Sequence, residues 1–475
     1  MSEVLVIGAG VNGLVAAIYL AQAGAKVTVL EAGAQVGGIC ANRMPVGDVA
    51  VAAGPHAFAA LDPRVLKDLK LTKSLAFAER DLPLTVLREG ETLTLPRDVH
   101  ECERALAAVS DTDAARYGAF RREQFAFARA MRPLWWENGT ITSDETLAHL
   151  RRLQVTSAQG LIEAIFESDL ARAAFAFDAL AVNPSASGGA LVMAWAAAQE
   201  MCGLQGAVAV PQGGASILVE ALLAVAQAAG VDIRLNAQVA RLYLDGEAVR
   251  GAVLASGETI AGRTILSSLT RKRTLLGLLP PGAAGFAAAR KLDAPVEVGE
   301  AKLVLDLKAC PSSLARPARY LFGDTIKTAA RSHAEAREGR LPSDLFLEAV
   351  VLEPHGLPLA TAQNVLLSVR IRPVPVAPID GWKTAAPRLV QQVMRDLEHR
   401  APGLAGIVRG FGFVPPAPAD ALCLADLAAP WKNRILTPVR GLYLCGVAAE
   451  PVPCVSGRAG RIAAALVADD RQEAF

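Results

Sequence analysis

Two short stretches at opposite ends of the 475-residue chain carry residue types whose spacing suits one piece of chemistry. The first runs Val4-Leu5-Val6-Ile7-Gly8-Ala9-Gly10-Val11-Asn12-Gly13, and Glu31 closes the next apolar run. Read as strand, turn and helix, it is a phosphate-binding site. Gly8 permits the tight turn, Gly10 lets a pyrophosphate approach the backbone, and Gly13 lets the helix pack on the strand. Val11 and Asn12 lie in the first helical turn, where free N–H groups and the positive dipole end face an anion. Glu31 could accept hydrogen bonds from both hydroxyls of a ribose and would repel a 2′-phosphate. Strand, turn, helix, strand and acid follow in order within about thirty residues, the span of a dinucleotide-binding βαβ unit. Taken alone, this order serves NAD as well as FAD. The second stretch, Gly441-Leu442-Tyr443-Leu444-Cys445-Gly446 continuing to Val455-Ser456-Gly457, completes the pair and points to FAD.

The elements that must position these residues follow from periodicity. Residues 3–7 and 26–30 read as buried strands, and 11–23 as a helix stopped by Gly24. The glycine pair Gly37-Gly38 admits a long cofactor to the backbone, and Arg43 offers positive charge to a pyrophosphate, or is a solvated loop arginine. Residues 62–200 read as mostly helical, at 113–134 and 158–181, with Phe and Trp interleaved. A helix at 215–229, a strand at 232–235, a hairpin around Asp245-Gly246 and a strand at 264–266 return to an α/β pattern. Alternating runs at 302–307, 345–352 and 364–372 predict an antiparallel sheet, followed by a helix at 384–400. The chain closes with a strand at 442–444 and a helix from 456 to about 468. The expected architecture is α/β: a discontinuous Rossmann-type FAD-binding domain (1–60, 206–274 and 427–475) plus an inserted α+β substrate domain (61–205 and 275–426) with antiparallel sheet and helices.

Composition narrows the functional classes. Lys+Arg (48) and Asp+Glu (47) nearly cancel, so no basic surplus points to nucleic acid. No stretch of eighteen or more residues lacks a polar break, which predicts no integral membrane segment. Peripheral membrane contact and oligomeric state stay open. The seven cysteines are scattered, with no CxxC pair and no spacing suited to zinc, so no metal is expected and a cytoplasmic location is.

With these residues in place, the chain resembles the phytoene desaturase-like branch of FAD-dependent oxidoreductases, closest to the phytoene dehydrogenase-related proteins of the amine-oxidase-like superfamily. Ile7–Ala17, Glu31–Gly38, Pro211–Gly251 and Gly441–Ala465 carry the resemblance. It implies that Gly8, Gly10 and Gly13 hold the FAD pyrophosphate and Glu31 the adenosine ribose. Gly37 and Gly38 would line the phosphates and ribitol. Val239 would meet the adenine through its backbone, and Gly446, Val455 and Ser456 would lie at the flavin. Two features depart from the pattern. Relatives carry a His-Pro-Gly-Gly-Gly-like run where this chain has Glu450-Pro451-Val452-Pro453-Cys454, and the stretch before Gly441 is short.

Glu450, Cys454 and His56 are the ionisable candidates for catalysis. A buried Glu450 could transfer a proton; its plainer role is to cap a loop or hold ribityl hydroxyls. Cys454 has no partner cysteine nearby and reads more simply as a packed small residue. His56 could face a pocket or sit satisfied in the core. The leading expectation is an oxidoreductase acting on a small apolar organic substrate, polyene or isoprenoid-like, by desaturation, saturation or isomerisation. An oxygen-using amine oxidase and a flavin-holding interaction protein are the alternatives.

Overall fold

The structure is a computed structural model that describes residues 3–88, 90–292, 296–352, 365–417 and 424–473. At its centre is a five-stranded parallel sheet gathered from distant parts of the chain. Its order is Asp232–Arg234, β2 (Lys26–Leu30), β1 (Glu3–Ile7), Thr264–Ser267 and Leu442–Leu444. The strands are short and nearly all apolar because helices cover both faces of such a sheet. Helix α1 (Val11–Gln22) crosses from β1 to β2 and packs with the helices Ser216–Ala228 and Arg458–Glu473 into one core. It ends where Gly24 takes a left-handed conformation that closes the helix. The hairpin Val239–Asp245 and Ala248–Leu254, joined by Thr259–Ala261, forms a separate three-stranded antiparallel layer.

Beside this Rossmann-type unit stands a seven-stranded sheet. Its order is Val408–Val414, Val298–Leu307, Val365–Pro375, Phe346–Leu352, Arg319–Phe322, Leu84–Arg88 and Glu91–Leu95. All neighbours are antiparallel except Arg319–Phe322 with Leu84–Arg88. Side chains alternate across a strand, so each strand feeds two environments. Leu303, Leu305, Leu367, Val369, Ile371 and Leu347 face a dry core with Leu389, Val393 and Leu397 of the helix Gly381–Arg400. The intervening positions carry Lys302, Arg370, Glu348 and Arg319 to the opposite face.

Sequence periodicity misplaces some of this. The block 62–200 contributes two strands to the large sheet, and the sheet is mixed rather than purely antiparallel. The helix expected over 158–181 is two, Ala158–Ile165 and Asp169–Ala179, because Asp113 draws Glu167 N and Ser168 N onto its carboxylate at 2.7 and 3.0 Å and breaks the run. Most of the aromatics in this block pack on one another as core, as in the stacked pair Phe166–Phe175 at 5.0 Å. Among the described residues no helix is long and apolar enough to cross a membrane.

Candidate functional site

The turn between β1 and α1 leads into a helix N-terminus that no side chain caps. Gly8 adopts φ +91°, and a Cβ on Gly13 would run into the Gly8 carbonyl oxygen, so neither position tolerates a side chain. Gly10 differs. Its backbone is ordinary extended chain, and a Cβ there would meet nothing within 4 Å. The N-terminus of α1 has no side-chain cap and no acid in its first turn, so its leading N–H groups have no acid to neutralise them. Asn12 is buried, and its Oδ1 has no donor among the described residues.

The second glycine pair converges on the same point. Gly37 donates to the Ala9 carbonyl at 2.8 Å, and a Cβ on Gly38 would stand 3.3 Å from Gly10 Cα. Glu31 closes the other end of the groove. Its Oε2 accepts from Ala9 N and its Oε1 from Gly33 N, both at 2.8 Å, which fixes the carboxylate and leaves each oxygen a further lone pair. Ala237 donates to the Glu31 carbonyl at 2.8 Å, and this contact brings in the segment that leads to the buried Val239. Arg43 donates to the Gln35 carbonyl, and its guanidinium lies on the Glu31 side of the groove.

The C-terminal motif reaches the turn through a residue that sequence reasoning passed over. Ser268 Oγ donates to the carbonyls of Ile7 and Gly8 at 2.8 and 3.2 Å, and Gly446 packs directly on the Ser268 carbonyl, where no side chain fits. Val455 is partly buried against the core that holds α1. Ser456 is tied down on three sides. Its carbonyl accepts from Asp62 N at 2.9 Å, its Oγ accepts from Arg458 N at 2.9 Å, and its hydroxyl donates to Glu450 Oε1. Glu450 Oε1 also accepts from Ala459 N at 3.2 Å. Two leading N–H groups of the last helix are therefore spent on Ser456 and Glu450, and Glu450 acts as a helix cap.

Glu450 retains one feature beyond capping. Its Oε2 is buried with no hydrogen-bond partner among the described residues, and burial raises its proton affinity against the opposing pull of Arg458 and Ser456. Cys454 packs against the aromatic cluster of Trp135 and Trp195, and burial beside Glu450 holds its thiol protonated. His56 belongs elsewhere. It is buried, with Nδ1 2.9 Å from Ser368 Oγ and Nε2 3.5 Å from Glu348 Oε1, and burial lowers its pKa although Glu348 opposes the shift.

His56 thereby marks a polar cluster on the inner face of the large sheet. Glu348, 2% exposed, accepts from Arg319 Nε and Arg370 Nη1, each at 2.8 Å. Arg370 continues to Glu300 at 2.8–3.1 Å. Lys302 points its ammonium at the carbonyls of Ala52 and Gly54, 2.9 and 2.5 Å away. It thereby holds the loop that follows β3 (Asn42–Val46) and β4 (Val49–Ala52), the hairpin next to Gly37-Gly38. The sequence signal was available: Lys302, Glu348 and Arg370 are charges inside apolar strand-like runs, at positions of one parity.

Burial pushes Lys302 down to about 8 from 10.5, with Glu300 opposing and Arg370 assisting. Between these values the unfolded chain binds the extra proton, so stability rises as pH increases through that window. Unfolding free energies from urea titrations at about pH 7.5 and about 9.5 should differ by roughly 1–3 kcal/mol in the wild type and converge in Lys302→Met. A rise of the same size in the variant would remove Lys302 as its source.

An uncapped helix N-terminus, open space in front of Gly10, an anchored acid and two buried acceptors without donors, Asn12 Oδ1 and Glu450 Oε2, together fit an extended dinucleotide. A fold and site of this kind define a dinucleotide-dependent oxidoreductase. Residues 12–270 match the flavin-containing amine oxidoreductases, and the chain belongs to that family. Its cofactor is FAD, and it is a flavin-dependent oxidoreductase. The chain is 26% identical to pyridine nucleotide-disulfide oxidoreductase domain-containing protein 2 of Rattus norvegicus, over 98% of this chain and 93% of that one. It is 25% identical to a lycopene-forming phytoene desaturase of a Paracoccus species, over 98% and 97%. Among solved structures it superposes on an oxidoreductase from Methanosarcina mazei with a TM-score of 0.68 at 15% identity, covering 98% of this chain and 100% of that one. It superposes on putrescine oxidase with a TM-score of 0.67 at 15% identity, covering 98% of each.

Proposed function

We propose that the chain desaturates, saturates or isomerises an apolar polyene or isoprenoid-like substrate at a carbon–carbon bond. The observation that carries this reading is the similarity to a phytoene desaturase along nearly the whole length of both chains. When bound, FAD supplies the hydride acceptor and donor at N5. The chain's own residues bind, orient and exclude water. In this reading Gly8, Gly10, Val11, Asn12 and Gly13 take the pyrophosphate, and Arg43 adds positive charge. Glu31 takes the adenosine ribose and the Val239 backbone the adenine. Gly37 and Gly38 line the phosphates and ribitol. Gly446, Val455 and Ser456 hold the flavin, and Asp62 positions Ser456. Glu450 holds the C-terminal turn in shape and offers Oε2 to a hydroxyl of the cofactor. The nucleotide belongs to residues 1–60, 206–274 and 427–475, and the substrate to 61–205 and 275–426. The Pro451–Cys454 turn packs into the Trp and Phe cluster, which seals that side against water.

Anaerobic titration of the purified yellow protein tests the reaction class. Bleaching of the flavin by reduced polyenes such as phytoene, with no response to alkylamines, is the expected result. Bleaching by amines alone would replace this reading with amine oxidation. Glu31→Gln tests the ribose assignment. It removes the charge that strengthens the hydrogen bonds to ribose and should cost about 1–2 kcal/mol, roughly tenfold in FAD affinity. An unchanged dissociation constant would count against it.

A further inference from the structure

The loop that carries Glu450 is fixed to the β1–α1 turn at both ends. At its start Gly446 packs on the Ser268 carbonyl, and Ser268 Oγ donates to the Gly8 carbonyl at 3.2 Å. At its end the helix Arg458–Glu473 lies on the first turn of α1. A Cβ on Gly460 would run into the Asn12 carbonyl oxygen, and one on Gly457 would stand 3.2 Å from Val15 Cγ2. Glu450 is buried between these anchors, and its two oxygens are used differently. Oε1 takes the Ser456 hydroxyl and Ala459 N, whereas the buried Oε2 takes no donor among the described residues. A carboxyl binds its proton on the oxygen that no donor occupies, so Oε2 is open to one.

The charges around Glu450 act on it without touching it. Arg458 in the last helix and Arg434 in the short helix Lys432–Ile435 both favour its ionised form. Arg458 spends Nη1 and Nη2 on Gln199 Oε1, each at 3.2 Å, and sets Nε 3.6 Å from Asp62 Oδ2, which Arg461 also holds. Arg434 donates to the carbonyls of Ala449, Asp426 and Ala429, and the Asp426 charge acts on it. Arg271 donates to the carbonyls of Arg434 and Ala448. Cys454 stays a neutral thiol. The field of the arginines and the burial of the carboxylate therefore oppose each other, and a new negative charge nearby tips the balance toward a proton. Reduction of a flavin by hydride brings such a charge. Two leading N–H groups of the last helix are already spent on Ser456 and Glu450, so the helix end has fewer donors left to offset it.

We propose that Glu450 takes up one proton on Oε2 when the flavin is reduced and releases it on reoxidation. The proposal rests on the placement of the flavin at Gly446, Val455 and Ser456. In the desaturation a hydride leaves one carbon for N5 and a proton leaves its neighbour for the medium as the double bond forms. Hydride transfer leaves one negative charge on the flavin. Glu450 draws one proton from the medium, its carboxylate becoming a carboxyl, and that charge is offset beside the flavin.

The slope of the flavin's midpoint potential against pH counts protons per two electrons and needs no substrate. Within about pH 6–9 the wild type should show a two-proton segment in which the reduced flavin keeps the absorption spectrum of the anion. Glu450→Gln should retain flavin, shift its oxidised absorption bands and take up one proton throughout. Unshifted bands would overturn the placement of the residue beside the flavin. Shifted bands with an unaltered count, one proton throughout in the wild type, or a neutral reduced flavin in the two-proton segment would overturn the proton role alone. If the variant yields no holoprotein, the infrared difference spectrum of the wild type decides. A protonated-carboxyl band must grow in as the flavin is reduced, and its absence would overturn the proposal. A flavin that no polyene bleaches would overturn the reaction class and leave this count standing.

Discussion

Gly10→Val is expected to yield a folded protein that has lost its flavin. The backbone at Gly10 is extended, with φ −71° and ψ 173°, which valine adopts without strain. A Cβ there meets nothing within 4 Å, so the fold has room for it. That room lies in front of the first turn of α1, where the assignment puts the pyrophosphate. A branched side chain in it opposes the ligand and not the protein. A clash of about 3 kcal/mol, the upper end for overpacking, corresponds to roughly a hundredfold in affinity. The purified variant should be nearly colourless, with wild-type circular dichroism. Full flavin occupancy would refute the pyrophosphate assignment. Gly8 and Gly13 are poorer probes, because side chains there collide with the protein itself.

Glu348→Gln should be the most destabilising single change on the inner sheet face. The carboxylate is 2% exposed and compensates Arg319 and Arg370, with His56 at 3.5 Å. Those partners hold it charged well below the usual carboxylate range despite its burial. The amide keeps the volume and removes the charge, which leaves two buried guanidinium groups short of a counter-ion. Breaking such a pair from one side costs about 3–5 kcal/mol. Chemical denaturation should show a loss of that size, and Glu137→Gln, on the exposed pair with Arg64, should lose under about 1 kcal/mol. A Glu348→Gln midpoint equal to the wild type would mean that water already screens the cluster.

The two glycine motifs and Glu31 were legible in the sequence because their chemistry is local: a turn, a helix start and a strand end within one unit. The parallel strands were legible for the same reason, as short apolar runs. Ser268 was not, because its role depends on pairing Thr264–Ser267 with β1, which no local pattern reveals. The strand Leu84–Arg88 was hidden inside a block dominated by helices, and its parallel partner lies more than two hundred residues away. The inner charged cluster lay between these extremes. Alternation identified the strands that carry Lys302, Glu348 and Arg370, but only the register of those three strands brings their side chains to one face. The Phe and Trp interleaved in the block 62–200 go mostly into ordinary core, a destination that only tertiary packing reveals.

The scattered origin of the central sheet sets an order of events during synthesis. The helix α1 leaves the ribosome early, yet it packs against Arg458–Glu473, and the strand Leu442–Leu444 adds the sheet's last edge. At typical translation rates of about 5–20 residues per second, the first helix waits roughly 20–90 s for that partner. During this interval β2, Ser216–Ala228 and Thr264–Ser267 can cover parts of β1 and α1, but the side that receives Arg458–Glu473 stays open. The central sheet and the packing around α1 are therefore complete only when almost the whole chain has been made.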